Sequence, residues 1–352
     1  MNYVEIGNRK IFVSLFVNVT FISQSDFQPF YKTIVFLECL FMSLILIFAS
    51  IYTHVFLQSS HFHLNLRRLY LAFTLTIYPS LLGRAYIILV QFNCLPFPGP
   101  IPLRLLCLFA TYGRIIMIVW EVLFVSAVVI ERAAATLWID FYESMQFTEL
   151  STLLIVLKMA ISLITITLIT QLMYEWYFLM LFTLMPVVLL IVILSFMLYH
   201  ALFVWNVRQL NKMKAFGIQK EATERYLSTR FQLEENVNAL TLIRAITLFH
   251  AFCAPFCALF LAIPFYYMDL NTDSAQILLI LFDLSIAVTT LAYFVIVFFS
   301  VEPWRFDFVE ILSNFSRVKA LSHLGKRSTL VAPIDVVGES EKYFQFYANA
   351  WN

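Results

Sequence analysis

Glycine is scarce in this chain, with 7 among 352 residues, and charged side chains make up only 13% of it. So few glycines, with no visible internal repeat, argue against a secondary transporter built from repeated halves and broken helices. No cysteine pair has zinc-type spacing within a polar loop. Of the six histidines, His54, His61, His63, His200, His250 and His323, most fall at run boundaries or in connections without supporting carboxylates, which argues against a membrane zinc hydrolase. The formal net charge is only +1, with basic residues mixed among acids, so nothing points to nucleic acid. The last apolar run contains no lysine, which excludes a retinal Schiff base there. No metal or cofactor is implied.

What the chain does have is apolar length. Hydrophobic residues make up 61% and the mean hydropathy is +0.84, far from a soluble domain. Seven runs stand out: Ile34 to Leu57, Leu69 to Gln91, Leu105 to Ile130, Thr152 to Leu172, Trp176 to Val204, Ala239 to Met268 and Ala275 to Val301. Each is long enough to cross a hydrocarbon core of about 30 Å at about 1.5 Å per helical residue. Backbone groups in a bilayer find no water, so the runs must be helices or closed-barrel strands, and their length selects helices. The expected fold is an all-α bundle of seven transmembrane helices over 30–304, with tails at 1–29 and 305–352.

Lys and Arg orient that bundle. Fifteen lie in the connections after runs one, three and five and in the C-terminal tail, including Arg67, Arg68, Arg132 and six from Arg208 to Arg230. Only Arg9, Lys10, Lys32 and Arg104 lie in the N-terminal tail and the other connections. The positive-inside rule then predicts an outside N-terminus and a cytoplasmic C-terminus, opposite to insect-type odorant channels. The basic residues at the membrane edge also suit anionic lipid. The sequon Asn18-Val19-Thr20 falls on the outer side, as a glycosylation site requires. Arg9-Lys10 followed by Ile11 to Ile22 resembles the start of a signal peptide, but Asn18 and Thr20 interrupt it and no small-residue cleavage site follows.

Charges inside the runs are costly unless paired or wetted. Lys158 and Arg244 lie toward the cytoplasmic ends and are expected to snorkel. Arg84, Arg114, Glu121 and Asp283 belong to the outer half or middle, and Arg114 and Glu121 share a helix face. These four either line a polar, ligand-accepting cavity or pair between helices. Trp120 and His250 join them as pocket candidates, with Tyr86, Tyr266 and Tyr267 as further aromatic walls. Pro186, Pro255 and Pro264 permit kinks in runs five and six. Cys94 and Cys107 bracket the outer connection after run two and are candidates for a disulfide in an oxidising compartment. Cys253 and Cys257 read as buried thiols.

Glu131-Arg132 stands at the inner end of run three, the position of the acid-Arg pair in rhodopsin-like receptors. Further marks are Trp120-Glu121, Ala135-Thr136, Tyr142-Glu143, the stretch Tyr226 to Asn236 and Pro303-Trp304. In these residues and in span order the chain resembles the nematode serpentine chemoreceptors of class epsilon (Sre) over most of residues 30 to 310. It departs where Asp140 is followed by Phe141 rather than directly by Tyr142, and at Ala133-Ala134. The resemblance implies a G-protein-coupled receptor, not an enzyme, that takes a small environmental molecule and is displayed in the plasma membrane of sensory-neuron cilia. It further implies a heterotrimeric G protein as partner, with Glu131, Arg132, Tyr142, Glu143 and Arg230 at the switch. A membrane transporter or ligand-gated channel is the alternative.

Overall fold

The computed structural model describes residues 3–6, 9–12, 17, 24–58, 63–96, 99–139, 142, 148–172, 177–216, 224–300, 305 and 308–309. Two compact units divide the chain, Met1–Trp304 and Arg305–Asn352. Among the described residues the first unit holds seven long helices: α1 Gln28–Gln58, α2 Leu64–Gln91, α3 Ile101–Leu137, α4 Thr148–Leu172, α5 Tyr177–Phe216, α6 Glu224–Tyr267 and α7 Asp273–Ser300. All seven are long and apolar enough to cross a membrane. A short antiparallel hairpin, β1 Tyr3–Ile6 with β2 Arg9–Phe12, precedes them and pairs Tyr3 with Phe12 and Ile6 with Arg9. The purely helical expectation therefore applies to the bundle and not to the N-terminal tail.

Several helices outrun their apolar runs. The mixed-charge segment before the sixth run is drawn into α5, which continues to Phe216, and into α6, which begins at Glu224. Its residues are helix formers, and once a helix is nucleated each added residue gains a hydrogen bond at little further cost. Polar His63 starts α2, its ring Nδ1 accepting from the Asn65 N–H at 3.3 Å.

Side chains are distributed as a bilayer demands. Leu190, Ile193, Leu194 and Met197 of α5 are exposed on the bundle surface, while Arg84, Arg114, Glu131, Arg132 and Asp283 are buried. In water this would be a large apolar surface over a charged core, the reverse of a soluble protein. Lipid tails cover the outside, so helix association rests on close packing and on polar contacts.

Helix α3 is the centre, packing on α2, α4, α5 and α6. Two of the scarce glycines make its approach to α2 possible. A Cβ at Gly83 would sit 2.7 Å from the Ala110 carbonyl oxygen, and one at Gly113 would sit 3.0 Å from the Pro79 carbonyl oxygen. Both obstacles are backbone and cannot rotate away. The crossing brings Arg84 and Arg114, each one residue beyond its glycine, toward the same interior. Lower in the bundle Tyr70 packs edge-on to Phe124 and Phe73 edge-on to Tyr293, with centroids 4.8 and 5.1 Å apart. This aromatic layer joins α2, α3 and α7.

Candidate functional site

Buried polar side chains gather at two levels along α3. At the level of Arg114, four charges from four helices form one cluster. Arg84 of α2 makes a two-pronged pair with Glu38 of α1, Nε to Oε1 at 2.5 Å and Nη2 to Oε2 at 2.8 Å. The same Arg84 Nη2 lies 2.9 Å from Asp283 Oδ2 on α7, and Arg114 Nη2 donates to Asp283 Oδ1. No side chain in the cluster is more than 7% exposed. Two cations meet two anions, so the charge that burial penalises is cancelled inside the cluster. The adjoining cavity, lined by Met42, Ser80, Met117 and Thr290 among others, has a volume of about 40 Å³. That holds a water or two, not a small organic ligand.

Eighteen residues, or five helical turns, separate Arg114 from Arg132, so both arginines project from one face of α3 about 27 Å apart. Arg132 grips its neighbour Glu131 through Nε and Nη2, both at 2.6 Å. Its remaining nitrogen reaches α6, donating to Asn236 Oδ1 at 2.9 Å and Glu235 Oε1 at 3.2 Å. Tyr142, past the end of α3, donates to Glu131 Oε1 and accepts from Asn65 Nδ2 at 3.0 Å. Burial, with the Glu131 carboxylate adding to it, pushes the Tyr142 phenol well above its usual range, so it keeps the proton it donates. Ser151 of α4 donates to Asn65 Oδ1 at 3.1 Å, and the His63 N–H donates to Glu235 Oε1 at 2.8 Å. Asn206 of α5 donates to Thr136 at 3.0 Å and brings the fifth helix in. Five helices thus converge on Arg132, which is 1% exposed.

Between the two levels, His250 of α6 meets Glu121 of α3, Nε2 to Oε1 at 2.9 Å. Its Nδ1 lies 3.0 Å from the Ile246 carbonyl oxygen, which can only accept, so Nδ1 carries a proton. The pair ties α3 to α6. At 20% and 17% side-chain exposure, they are the more accessible of the buried polar pairs.

The structure separates the sequence-derived pocket residues. Arg84, Arg114 and Asp283 come together, but as an interhelical charge cluster rather than open ligand contacts. Glu121 shares a face with Arg114 yet takes His250. Trp120 is buried beneath Lys158, whose Nζ stands 4.3 Å from the indole centroid. Lys158 therefore does not snorkel, being 4% exposed and capped by Trp120 and Phe124, whereas Arg244 is exposed on the bundle surface. Tyr267 faces outward at 84% exposure, and Tyr86 donates to the Leu103 carbonyl. Neither lines the cavity beside the Asp283 cluster.

The disulfide expectation fails. Cys94 and Cys107 are free, the first exposed, the second buried with Ile87 and Val90 because α3 turns it into the α2–α3 seam. Glu131, Arg132 and Tyr142 do assemble, whereas Arg230 pairs with Glu234 at 3.4 Å, one turn along α6. Asn18 and Glu143 lie outside the described residues. Among the described residues no group of three His, Cys, Asp or Glu side chains is arranged to hold a metal ion.

Glu38, Asn65, Asn206 and Glu235 were missing from the sequence-derived site. An acid inside the first apolar run was a legible signal for Glu38, the same one that singled out Asp283. Asn65 and Asn206 are short polar residues near run ends and carry no such signal.

No curated protein matches the chain closely enough to serve as a relative. The family model described as Sre G protein-coupled chemoreceptor matches residues 101–352, which include α3 to α7 and the whole of the Glu131-Arg132 region. Seven membrane-length helices and that match make this a multi-pass membrane protein, and the chain belongs to the Sre family of G protein-coupled chemoreceptors.

Proposed function

We propose that the chain sits in the plasma membrane of sensory cilia with its N-terminus outside and its C-terminus in the cytoplasm. It binds a small environmental molecule in the outer half of the bundle and signals to a heterotrimeric G protein. The observation that carries the switch is the position of Arg132. One guanidinium holds its own helix through Glu131 and α6 through Glu235 and Asn236. Moving α6 away from α3 therefore breaks charge-assisted hydrogen bonds in a buried site, so resting and signalling arrangements are separate states. A ligand shifts the balance by its difference in affinity for the two.

Trp120, Glu121 and His250 are the pocket residues not already bound into the Asp283 cluster, and Glu121–His250 links the same two helices as Arg132. A ligand competing for that pair would loosen α3 from α6 above the switch. Arg230 and the helical ends around it, with Glu143, contribute to the G-protein surface.

Tags at both ends test the arrangement in intact cells, where antibody access to the C-terminal tag without permeabilisation would overturn it. With a G-protein dissociation sensor, Arg132→Ala at equal surface level is expected to change signalling several-fold. Unchanged basal and stimulated signals would refute the switch.

A further inference from the structure

Lys158 lies near the middle of α4 and is 4% exposed, yet its Nζ has no hydrogen-bond partner among the described residues. It stands over the Trp120 ring at 4.3 Å and near the Phe124 ring at 5.3 Å. The rings offer an ammonium their π faces, which only partly offset its burial. No described carboxylate lies within ion-pair distance of it, and Glu121, on the residue next to Trp120, is committed to His250. The Trp120 Nε1 is also buried without a partner. Two donors that share one ring are thus both unmet, in a bundle whose other buried charges are closely paired.

Unmet buried donors are expensive, and a site that keeps them is fitted to a group supplied from outside. The missing group must accept from both Nζ and Nε1 and bring one negative charge. A carboxylate meets all three demands. A phosphate dianion would need a second cation, and no described cation joins Lys158. An alcohol or ketone brings no charge to hold the Lys158 amine as an ammonium. The Trp120 ring suits an apolar chain behind the carboxylate.

We infer that Lys158 and Trp120 form the head-group site for a small apolar monocarboxylate, an organic acid held between α3 and α4. This rests on the chemoreceptor reading and names its ligand class. It also moves the anchoring charge away from Arg84 and Arg114, which are already satisfied within the Asp283 cluster.

Thermal unfolding of the purified full-length receptor in lipid nanodiscs tests it without any G protein. Sodium octanoate at millimolar concentration, against octan-1-ol and against sodium chloride of equal ionic strength, is the probe. Octanoate is expected to raise Tm, and octanol is expected not to. Lys158→Met should raise the Tm of the unliganded receptor, because it removes a buried unpartnered amine, and should abolish the octanoate shift. Lys158→Arg should keep a reduced shift. The inference is overturned if octanoate gives no shift, if octanol matches it, if the shift survives Lys158→Met, or if Lys158→Met lowers the unliganded Tm. A loss of binding here with G-protein signalling intact would reject the acid site alone, whereas binding without signalling would reject the receptor reading alone.

Discussion

The Asp283 cluster and the Arg132 cluster occupy the same face of α3, are almost equally buried, and are built to opposite charge rules. Around Asp283, Arg84 and Arg114 are balanced by Glu38 and Asp283, and the ties run among α1, α2, α3 and α7. Around Arg132, a single cation faces two carboxylates, Glu131 and Glu235, with neutral Tyr142, Asn65 and Asn236 completing the contacts. The first cluster has one carboxylate for each cation, with only the neutral Gln91 Oε1, 3.5 Å from Arg84 Nη1, as a further acceptor. The second has more acceptors than its arginine needs, so Arg132 can trade one contact for another and still keep a counter-ion. A balanced cluster suits a fixed joint, and an over-supplied one suits a joint that moves.

The largest effect is expected where the balanced set is broken. Asp283→Ala leaves Arg114 without its counter-ion, and arginine cannot shed its proton. A loss of about 3–5 kcal/mol is expected in thermal or denaturant unfolding, with little receptor at the surface. The double change Arg114→Met with Asp283→Leu keeps Arg84 on Glu38 and should restore most of that loss. If it is as unstable as Asp283→Ala, the cluster is not a self-balancing set.

Arg132→Ala comes next, at about 2–3 kcal/mol, because the carboxylates it leaves behind keep the hydrogen bonds from Tyr142 and from His63 N–H. A cost equal to that of Asp283→Ala would erase the distinction between fixed and moving joints. Tyr142→Phe should cost about 1.5 kcal/mol, the value of a hydrogen bond to a charged acceptor, and raise basal signalling. No rise at equal expression would detach Tyr142 from the switch.

Lys214→Ala should stay within about 0.5 kcal/mol. Its 3.5 Å pair with Glu234 is 52% and 33% exposed, so water screens it. A larger loss would show that exposed pairs on the helix ends matter as much as buried ones.

Much of the architecture was legible in the residue order. Apolar runs marked every helix, since a bilayer demands length and hydrophobicity within a single segment and both are local properties. Glu131-Arg132 was legible too, because its two charges are adjacent in the chain and its place follows from counting helices. Partners farther apart were not. Nothing in the spacing of Glu38 and Asp283 tells that they share Arg84, and the helical face common to Arg114 and Glu121 suggested one cavity where the fold made two separate pairs. Lys158 misled for the same reason, since nearness to a run's end says nothing about which neighbour's rings cover it.

By itself, then, the sequence determined seven spanning helices, the alternation of basic connections and the acid-Arg pair that marks the receptor family. Tertiary structure alone decided which charges neutralise one another. Charge pairing in a low-dielectric interior depends on separations of a few ångströms between helices, and those separations are set by packing such as the Gly83 and Gly113 crossing.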